Sequence, residues 1–245
     1  MKNHIFGLIG RSLKHSFSQK YFLEKFENEG FSSTCDYINF ELEDLNEIST
    51  LRSMDALVGL NVTIPYKTEI IPFLDEMSVE AGVIGAVNTI RIVEGKWIGY
   101  NTDVKGFETS LGTRSFGSAL VLGTGGASKA VAYVLGRKNI PFQYVSRTPV
   151  EGGMTYEEID EHIMQQNDLI INTTPLGMYP RVEESPSIPY ENISSNHFLY
   201  DLVYNPEKTL FLKLGAKNGA RTMNGLKMLL GQAEASWQIW NENDK

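Results

Sequence analysis

The chain has 245 residues, 42% of them hydrophobic and 21% charged, which is the composition of a globular protein with a buried core. Its formal net charge of −8 argues against nucleic acid or an anionic membrane as the main partner, although a few local donors can still bind a small anion. Cys35 is the only cysteine, so an internal disulfide and a cysteine-rich metal site are excluded. We find no secretory signal or membrane-spanning stretch in the sequence, and we expect the protein in the cytoplasm.

The N-terminal part of the chain alternates between strand-like and helix-like patterns. The predicted strands are residues 4–10, 36–40, 57–64, 86–93 and 96–100. The predicted helices begin after Ser18, near Glu43 and at Tyr66. This βαβαβα order predicts a parallel sheet with right-handed crossovers. Glu94 and Gly95 separate the last two strands, and this pair favours a hairpin.

A glycine-rich stretch organises the second part of the chain. A strand predicted at 119–122 runs into Gly123-Thr-Gly-Gly126, and apolar residues with helical spacing follow at once. The N-terminus of a helix offers unpaired N–H groups and a positive dipole, and glycines let the backbone approach phosphates. Gly123, Gly125 and Ser128 fill the three places of the G-x-G-x-x-G/A motif, which predicts a dinucleotide site. An ordinary glycine-rich turn between a strand and a helix is the alternative.

Two α/β domains joined near residue 103 account best for the whole pattern. Further strands are predicted at 142–146, 168–172 and 198–203, and further helices at 207–218 and from Leu226. The expected domains are residues 1–102 and 103–225, and the C-terminal helix 226–245 is expected to pack back on the first domain.

The kind of dinucleotide is indicated by the residues after the strand at 142–146. A carboxylate at this place accepts the ribose 2′-hydroxyl of NAD, whereas a guanidinium binds the 2′-phosphate of NADP. The chain has Ser146-Arg-Thr148 here and no acidic residue, so we expect NADP. Glu151 lies close in sequence and weakens the basic character of the pocket. A solvated loop arginine is the alternative for Arg147.

Two charged residues lie where chemistry can take place. Lys67 follows the strand at 57–64, and ligand crevices in open α/β sheets lie outside the carboxyl ends of strands. Asp103 lies at the end of the hairpin, at the presumed domain boundary. A lysine and an aspartate facing one carbinol suit reversible hydride transfer, because one group removes the hydroxyl proton while the cation stabilises the developing alkoxide. Ordinary surface charges are the alternative.

No metal is expected, because His4, His162 and His197 lack the spacing of metal ligands, and His15 is a lone histidine in a predicted loop.

Several short motifs are spread in order over nearly the whole chain. They are Lys14-His-Ser-Phe-Ser18, Asn61-Val-Thr-Ile-Pro-Tyr-Lys67, Gly85-Ala-Val-Asn-Thr89, Tyr100-Asn-Thr-Asp103, Gly123-Thr-Gly-Gly-Ala-Ser128, Ser146-Arg-Thr148, Asn172-Thr-Thr-Pro-Leu-Gly-Met178, Asp201-Leu-Val-Tyr204 and Asn224-Gly-Leu-Lys-Met-Leu229. Together they resemble the shikimate dehydrogenase family, and they are far more specific than the glycine loop alone. The resemblance implies an N-terminal, mainly parallel α/β domain that binds substrate and carries the catalysis, followed by a Rossmann-type domain that binds NADP.

The activity implied by this resemblance is the NADP-dependent, reversible reduction of 3-dehydroshikimate to shikimate, a step towards chorismate and the aromatic amino acids. Lys67 and Asp103 match the catalytic pair, and which of them takes the proton stays open. The implied substrate-binding residues are Ser16, Ser18 and Tyr204 at the carboxylate, and Thr63, Asn88 and Gln232 at the ring hydroxyls. The implied cofactor-binding residues are Gly123, Gly125, Gly126, Ala127, Ser128, Arg147, Thr148 and Gly225.

Two other functions remain as alternatives. One is a quinate/shikimate dehydrogenase with relaxed cofactor use, and the other is a non-catalytic NADP-binding regulator. The presence of both Lys67 and Asp103 argues against the regulator, because a binding protein has no need of that pair. The expected partner is a small molecule, and a homodimer is favoured if the first domain exposes an apolar patch.

Overall fold

The chain forms two compact units. The computed structural model describes residues 2–14 and 16–242, so His15 and residues 243–245 of the predicted C-terminal helix lie outside the described residues. The first unit contains the residues up to Thr102 together with those from Ala233 onward, and the second unit runs from Asp103 to Gln232. The change of unit near the C-terminus falls inside the last helix rather than at its start. Over the described ranges, the helices are all too short or too polar to cross a membrane.

A six-stranded sheet forms the centre of the first unit. Its strands are β1 (His4–Gly10), β2 (Cys35–Glu41), β3 (Leu57–Val62), β4 (Glu76–Met77), β5 (Thr89–Val93) and β6 (Lys96–Tyr100). Their order in the sheet is β2-β1-β3-β5-β6-β4. The helices are α1 (Phe17–Asn28), α2 (Ile48–Arg52) and α3 (Val79–Ile84), with 3₁₀ turns at Leu45–Glu47 and Ile71–Phe73.

The sheet of the first unit is mixed. β1 runs parallel to β2 and β3, as the alternating order predicts, whereas β5 and β6 form the predicted antiparallel hairpin. β5 is also antiparallel to β3, with Asn61 opposite Thr89, and Thr89 lies opposite Tyr100 of β6. The start of β5 therefore lies at the same edge of the sheet as the carboxyl ends of β1, β3 and β6.

An aromatic cluster forms part of the core of the first unit. Phe22 stacks on Tyr37 with ring centroids 4.7 Å apart. Trp240, at the end of the last helix, belongs to the same cluster and donates its indole N–H to the Ile90 carbonyl at 2.9 Å. A Cβ at Gly59 would overlap the Trp240 indole, so this position must stay a glycine. The end of the last helix is thereby fixed in the core of the first unit.

The second unit has a parallel sheet with helices in its connections. Its strands are β7 (Ala119–Leu122), β8 (Phe142–Ser146), β9 (Gly153–Thr155), β10 (Leu169–Asn172), β11 (Phe198–Asp201) and β12 (Arg221–Met223). Its helices are α4 (Asp103–Leu111), α5 (Gly126–Arg137), α6 (Glu161–Gln166), α7 (Leu210–Lys217) and α8 (Leu226–Trp240), the last of which ends in the first unit. The strand order β12-β11-β10-β7-β8-β9 is that of a dinucleotide-binding doubly wound fold, whose switch point lies between β7 and β10.

Differences from the predicted elements are confined to short segments and element ends. The edge strands β4, β9 and β12 have only two or three residues each, too few for a visible pattern. The helix predicted at 207–218 begins only at Leu210, because the Thr209 side chain caps it by accepting a hydrogen bond from the Leu212 N–H. The helical turn predicted at Tyr66 is a series of turns that leads to the 3₁₀ turn at Ile71–Phe73.

Candidate active site

The start of α1 offers a place for an anion. Ser16 is the N-cap of this helix, and its side chain makes no capping hydrogen bond. Its Oγ atom is buried and has no hydrogen-bond partner among the described residues. Buried hydroxyls are nearly always hydrogen-bonded, and a helix N-terminus favours negative charge. An unpaired hydroxyl at this position therefore suits a ligand carboxylate.

Ser18 lies in the first turn of α1, close to the buried side chain of Tyr37. Burial raises the pKa of Tyr37 well above its ordinary value, and the nearby Ser18 side chain opposes that shift. Tyr37 is therefore a neutral donor, and it donates to Asn61 Oδ1 at 2.8 Å. Asn61 lies near the end of β3, so this contact connects β2 with the carboxyl end of β3.

Asn88 is held by the segment after β6. Its Oδ1 accepts from the Thr102 N–H at 2.7 Å, and its Nδ2 donates to Thr102 Oγ1 at 3.0 Å. Only 1% of Asn88 is exposed. Thr89 and Ser236 lie beside it, and the Ser236 hydroxyl lies 2.8 Å from Thr89 Oγ1 and 3.2 Å from Thr102 Oγ1. Asn88 thus has a fixed amide orientation.

Thr63 and Lys67 follow β3 in a tight series of turns. The Thr63 N–H donates to the Ile9 carbonyl at 2.9 Å, and the Lys67 carbonyl accepts from the Val87 N–H at 2.7 Å. A Cβ at Gly10 would lie 2.7 Å from Thr63 Cγ2, so the glycine at the end of β1 leaves room for this threonine. Both residues are half-buried. The first unit therefore gathers Ser16, Ser18, Thr63, Lys67 and Asn88 around one edge of its sheet.

The glycine-rich loop of the second unit has the geometry of a phosphate site. Gly123 has φ +107°, and a Cβ there would lie 2.8 Å from Thr173 Oγ1. Gly125 is the N-cap of α5, and a Cβ added to it would meet nothing within 4 Å. Within the described residues no side chain caps α5, and the first N–H groups of a helix have no partner inside it. Open space beside these donors fits the pyrophosphate of a dinucleotide.

The residues after Gly125 begin α5. Gly126 and Ala127 form its first turn, and Ser128 is fully buried. The Ser128 hydroxyl donates to the Gly125 carbonyl at 2.6 Å. Ser128 therefore secures the loop from inside, through its hydroxyl and through its own N–H, which also donates to the Gly125 carbonyl, at 3.1 Å.

Arg147 and Thr148 lie in the loop after β8 and are exposed. The Thr148 N–H donates to Ser146 Oγ at 3.1 Å, which fixes the turn. Burial raises the pKa of Tyr156, and the nearby positive charge of Arg147 opposes that shift. Glu151 is exposed in the same loop. The loop can thus present a guanidinium to a 2′-phosphate next to an aromatic ring.

A buried carboxylate anchors the segment that carries Tyr204. Asp201 Oδ1 accepts from the Val203 N–H and from Asn172 Nδ2, both at 3.0 Å, and Oδ2 accepts from the Thr209 hydroxyl at 2.5 Å. Burial raises the pKa of Asp201 to about 6, although these hydrogen bonds favour the charged form. Tyr204 is half-buried and comes directly after Val203.

Gly225 lies beside the same segment. Its N–H donates to the Val203 carbonyl at 3.1 Å, and a Cβ there would overlap the Leu202 carbonyl. This glycine is needed where α8 begins.

Asp103 and Gln232 lie on two helices of the second unit that are in close contact. Asp103 begins α4 and is only 2% exposed. A Cβ at Gly106 would overlap the Met228 carbonyl, and one at Gly231 would lie 3.1 Å from Gly106 Cα. The absence of side chains here lets α4 approach the part of α8 that carries the half-buried Gln232. Of the residues expected to bind substrate, Tyr204 and Gln232 therefore belong to the second unit.

Three residues of these networks had no role in the sequence interpretation. Tyr37 resembles any core residue of a strand, Ser236 lies in an apolar helical pattern, and Asp201 was quoted only as part of a motif. Only their hydrogen bonds reveal them. Among the described residues, no group of three or more His, Cys, Asp or Glu side chains could hold a metal ion.

Comparison with known proteins shows to which family the chain belongs. Residues 8–90 match the family model described as the shikimate dehydrogenase substrate binding domain. The NADP(+) shikimate dehydrogenase of Clostridium beijerinckii is 38% identical over 251 residues, which cover 97% of this chain and 92% of that protein. This chain belongs to the shikimate dehydrogenase family.

Solved structures of this family and its relatives share the fold. Shikimate 5-dehydrogenase from Thermus thermophilus, in complex with NADP(H) and shikimate, is 31% identical with a TM-score of 0.85, and the match covers 97% of this chain and 93% of that one. Quinate dehydrogenase from Corynebacterium glutamicum, in complex with NAD, also has a TM-score of 0.85, with 26% identity over 98% of this chain and 94% of that one. The resemblance to shikimate dehydrogenases and the α/β fold with a Rossmann-type sheet are thereby confirmed. The roles of individual residues stay predictions.

Proposed function

We propose that this chain catalyses the NADP-dependent, reversible reduction of 3-dehydroshikimate to shikimate. The observation that carries the proposal is the buried Ser16 hydroxyl at the start of α1, which has no hydrogen-bond partner in the described part of the chain and lies within the stretch that matches the substrate-binding domain of the family. Both the substrate and the product are carboxylates, and a hydroxyl at a helix N-terminus is a suitable donor to a carboxylate. The identity to NADP(+) shikimate dehydrogenases over nearly the whole chain supports the same reaction.

In this proposal the first unit binds most of the substrate. Ser16 and Ser18 donate to its carboxylate, with Tyr204 as a third donor. Thr63, Asn88 and Gln232 bind the ring hydroxyls. The fixed amide of Asn88 supports this role, because an ordered donor and acceptor pair loses little entropy when the ligand binds.

The second unit binds the cofactor in this proposal. Gly123, Gly125, Gly126, Ala127 and Ser128 form the pyrophosphate loop. Arg147 and Thr148 bind the 2′-phosphate, and Gly225 lines the site at the start of α8. NADP held there would supply the hydride acceptor for the carbinol carbon of shikimate, and NADPH would supply the hydride for the reverse reaction.

Lys67 and Asp103 move the proton that accompanies the oxidation. As the carbinol carbon loses its hydride, its hydroxyl proton passes to this pair, and the oxygen becomes the ketone oxygen. The ammonium of Lys67 stabilises the negative charge that develops on that oxygen. In the reverse direction the pair returns the proton to the oxygen. Either the carboxylate is the base or the two groups share one proton as a coupled unit.

The test is a rate assay with four combinations of substrate and cofactor. Purified protein is mixed with shikimate or quinate and with NADP or NAD, and the absorbance of the reduced nicotinamide is followed. We expect the highest kcat/KM with shikimate and NADP. A higher kcat/KM with quinate and NAD would favour the relaxed enzyme, and the fold of this chain is also similar to that of quinate dehydrogenase. No rate with any pair, together with NADPH binding, would favour the regulator.

We also propose a cytoplasmic location and a homodimer. The single cysteine suits a reducing compartment. The first unit exposes Met77, Val79 and Val83 around α3, with 86% of Val79 and 70% of Val83 accessible. Such a patch favours self-association. We expect a dimer by light scattering after size exclusion, and a monomer for Val79→Asp. A monomeric wild-type protein at assay concentration would contradict this.

A further inference from the structure

We propose that Glu41 is a positioning residue for the substrate carboxylate, which acts by fixing the turn that leads to Ser16. The inference rests on the proposed function, because Ser16 is one of the donors assigned to that carboxylate. Glu41 is an exposed residue at the carboxyl end of β2 and had no role in the sequence interpretation. It acts through Leu13, which lies between β1 and α1.

Strand pairing places Glu41 next to the chain that leaves β1. β1 and β2 are parallel, and Gly10, the last residue of β1, lies opposite Glu41. The Leu42 N–H donates to the Gly10 carbonyl at 3.0 Å, so the pairing continues to the end of both strands. Because paired parallel strands run in the same direction, a side chain at the end of β2 can reach the segment that follows β1.

Leu13 is held by its side chain and by both of its backbone polar groups. The side chain is 5% exposed and belongs to the aromatic cluster of the first unit. A Cβ at Gly10 would lie 2.6 Å from Leu13 Cδ2, so this glycine leaves room for the leucine. The Leu13 N–H donates to Glu41 Oε1 at 2.5 Å, and the Leu13 carbonyl accepts from the Ser16 N–H at 2.9 Å. Consecutive hydrogen bonds thus connect Glu41, Leu13 and Ser16.

A second side chain of β2 holds the first turn of α1. Asn39 lies two residues before Glu41, and residues two apart on a strand point to the same face of the sheet. Asn39 Nδ2 donates to Gln19 Oε1 at 3.2 Å, and Gln19 Nε2 donates to the Tyr37 carbonyl at 3.1 Å. The carboxyl half of β2 therefore fixes the start of α1 as well as the turn at Leu13.

The position of the Ser16 hydroxyl depends on this backbone. Ser16 Oγ is buried and has no hydrogen-bond partner among the described residues, so the turn rather than a side-chain contact has to place it. Without Glu41, the Leu13 N–H loses its protein acceptor, and the turn gains conformations in which Ser16 lies elsewhere. Substrate binding must then order the turn, which weakens binding and leaves the chemical step unchanged.

The first experiment separates the acceptor atom of Glu41 from its charge. Glu41→Ala removes the acceptor and should raise the shikimate KM roughly five- to tenfold, the factor given by the loss of one hydrogen bond, with kcat and the NADP KM within about twofold. Glu41→Gln keeps an oxygen acceptor and should restore the shikimate KM to within about twofold of wild type. Equal increases in the two variants would show that the charge matters instead, and would overturn the inference.

The matched control removes a neighbouring carboxylate. Glu43 is exposed and lies two residues further along the chain, after the end of β2. Glu43→Ala should leave the shikimate KM at the wild-type value. An increase as large as that of Glu41→Ala would assign the effect to the negative charge of this region and would contradict a specific role for Glu41.

A double-mutant cycle shows whether Glu41 acts through Ser16. If it does, Glu41→Ala adds little to the shikimate KM of Ser16→Ala, whereas independent effects multiply. Multiplying effects would overturn the inference and leave the proposed function intact. The same holds for an unchanged KM in Glu41→Ala when Ser16→Ala impairs the enzyme. A wild-type protein without turnover would instead overturn the proposed function and this inference with it.

A second variant keeps the test open if Glu41→Ala does not fold. Asn39→Ala removes the hydrogen bond to Gln19 and should also raise the shikimate KM more than the NADP KM. Equal changes in the two KM values would contradict a positioning role for the end of β2.

Discussion

Both units present their candidate ligand-binding groups at the carboxyl edges of their sheets. These groups are side chains in the first unit and backbone groups in the second. In the first unit, the candidate groups are side-chain hydroxyls and amides, and the buried residues Tyr37, Asn61 and Ser236 share a hydrogen-bonded network in the same unit. In the second unit, the candidate site is formed by backbone N–H groups and by the absence of Cβ atoms at Gly123 and Gly125. Removing side-chain atoms should therefore weaken ligand binding in the first unit. Adding a Cβ atom to a glycine of the loop should weaken ligand binding in the second.

Sheet topology explains this difference. The antiparallel β5 brings its polar first residues to the edge where β1 and β3 end, which allows side chains from several strands to hydrogen-bond. The second sheet is parallel, and at its switch point the start of α5 faces the space beyond β7. A helix N-terminus binds a phosphate without any side chain.

The largest expected effect concerns the chemistry assigned to the first unit. Lys67→Ala should lower kcat by roughly 10²–10⁴, the range for loss of an acid–base group, with smaller changes in both KM values. Steady-state kinetics with shikimate and NADP would measure this. Lys96→Ala, which removes an exposed lysine paired with Glu76 in the same unit, should keep the wild-type kcat. An unchanged kcat in Lys67→Ala would remove this residue from the catalytic pair.

A second effect lies in the interior of the second unit. The pKa of Asp201 is raised to about 6, against 3.8 for an unperturbed group, so the folded protein binds more protons than the unfolded chain between these values. The free energy of unfolding should therefore fall by about 3 kcal/mol as the pH rises from about 4 to 6, and this loss persists at higher pH. Asp201→Asn does not titrate and should lack this part of the pH dependence.

Urea unfolding of both proteins across this pH range measures the difference. If wild type and Asp201→Asn kept a constant difference in free energy of unfolding, the raised pKa of Asp201 would be wrong.

A smaller effect is expected at the edge of the cofactor site. Arg147→Ala should reduce the preference for NADP over NAD by roughly 10- to 100-fold, the range for loss of a hydrogen bond to a charged group. Glu151→Gln removes a negative charge from the same loop and should shift the preference modestly towards NADP. Ratios of kcat/KM for the two cofactors give both results. An unaltered ratio in Arg147→Ala would show that another residue selects the cofactor.

Patterns with a fixed spacing made much of the fold predictable from the sequence. The bounds of β1, β6, β7 and β8 agree with the predicted strands, because each is rich in aliphatic or aromatic residues. The hairpin was visible at Glu94 and Gly95, and the cofactor loop in its glycine spacing. Their positions after a strand and after the hairpin made Lys67 and Asp103 candidates, and the family resemblance favoured them over ordinary surface charges.

Tertiary pairing explains what the sequence did not reveal. The antiparallel pairing of β5 with β3 depends on contacts between distant segments, so the hairpin was predicted but its place in the sheet was not. Tyr37 and Ser236 are separated by nearly the whole chain and come together only through Asn61. The unpaired hydroxyl of Ser16 is likewise visible only once burial is known.

The central claim is that the first unit binds substrate through side chains and the second binds the cofactor through its backbone. The most direct test is to measure the binding of both ligands to a variant of each site by isothermal titration calorimetry. Ser16→Ala removes an atom from the side-chain site, and Gly125→Ala adds one to the backbone site, where it meets nothing in the protein within 4 Å. Gly136→Ala, also in open space but away from the loop, is the control. We expect Ser16→Ala to weaken shikimate binding roughly 10- to 100-fold and to leave the NADPH Kd unchanged. We expect Gly125→Ala to weaken NADPH binding and to leave the shikimate Kd unchanged. Equal weakening of both ligands by either variant would contradict the account.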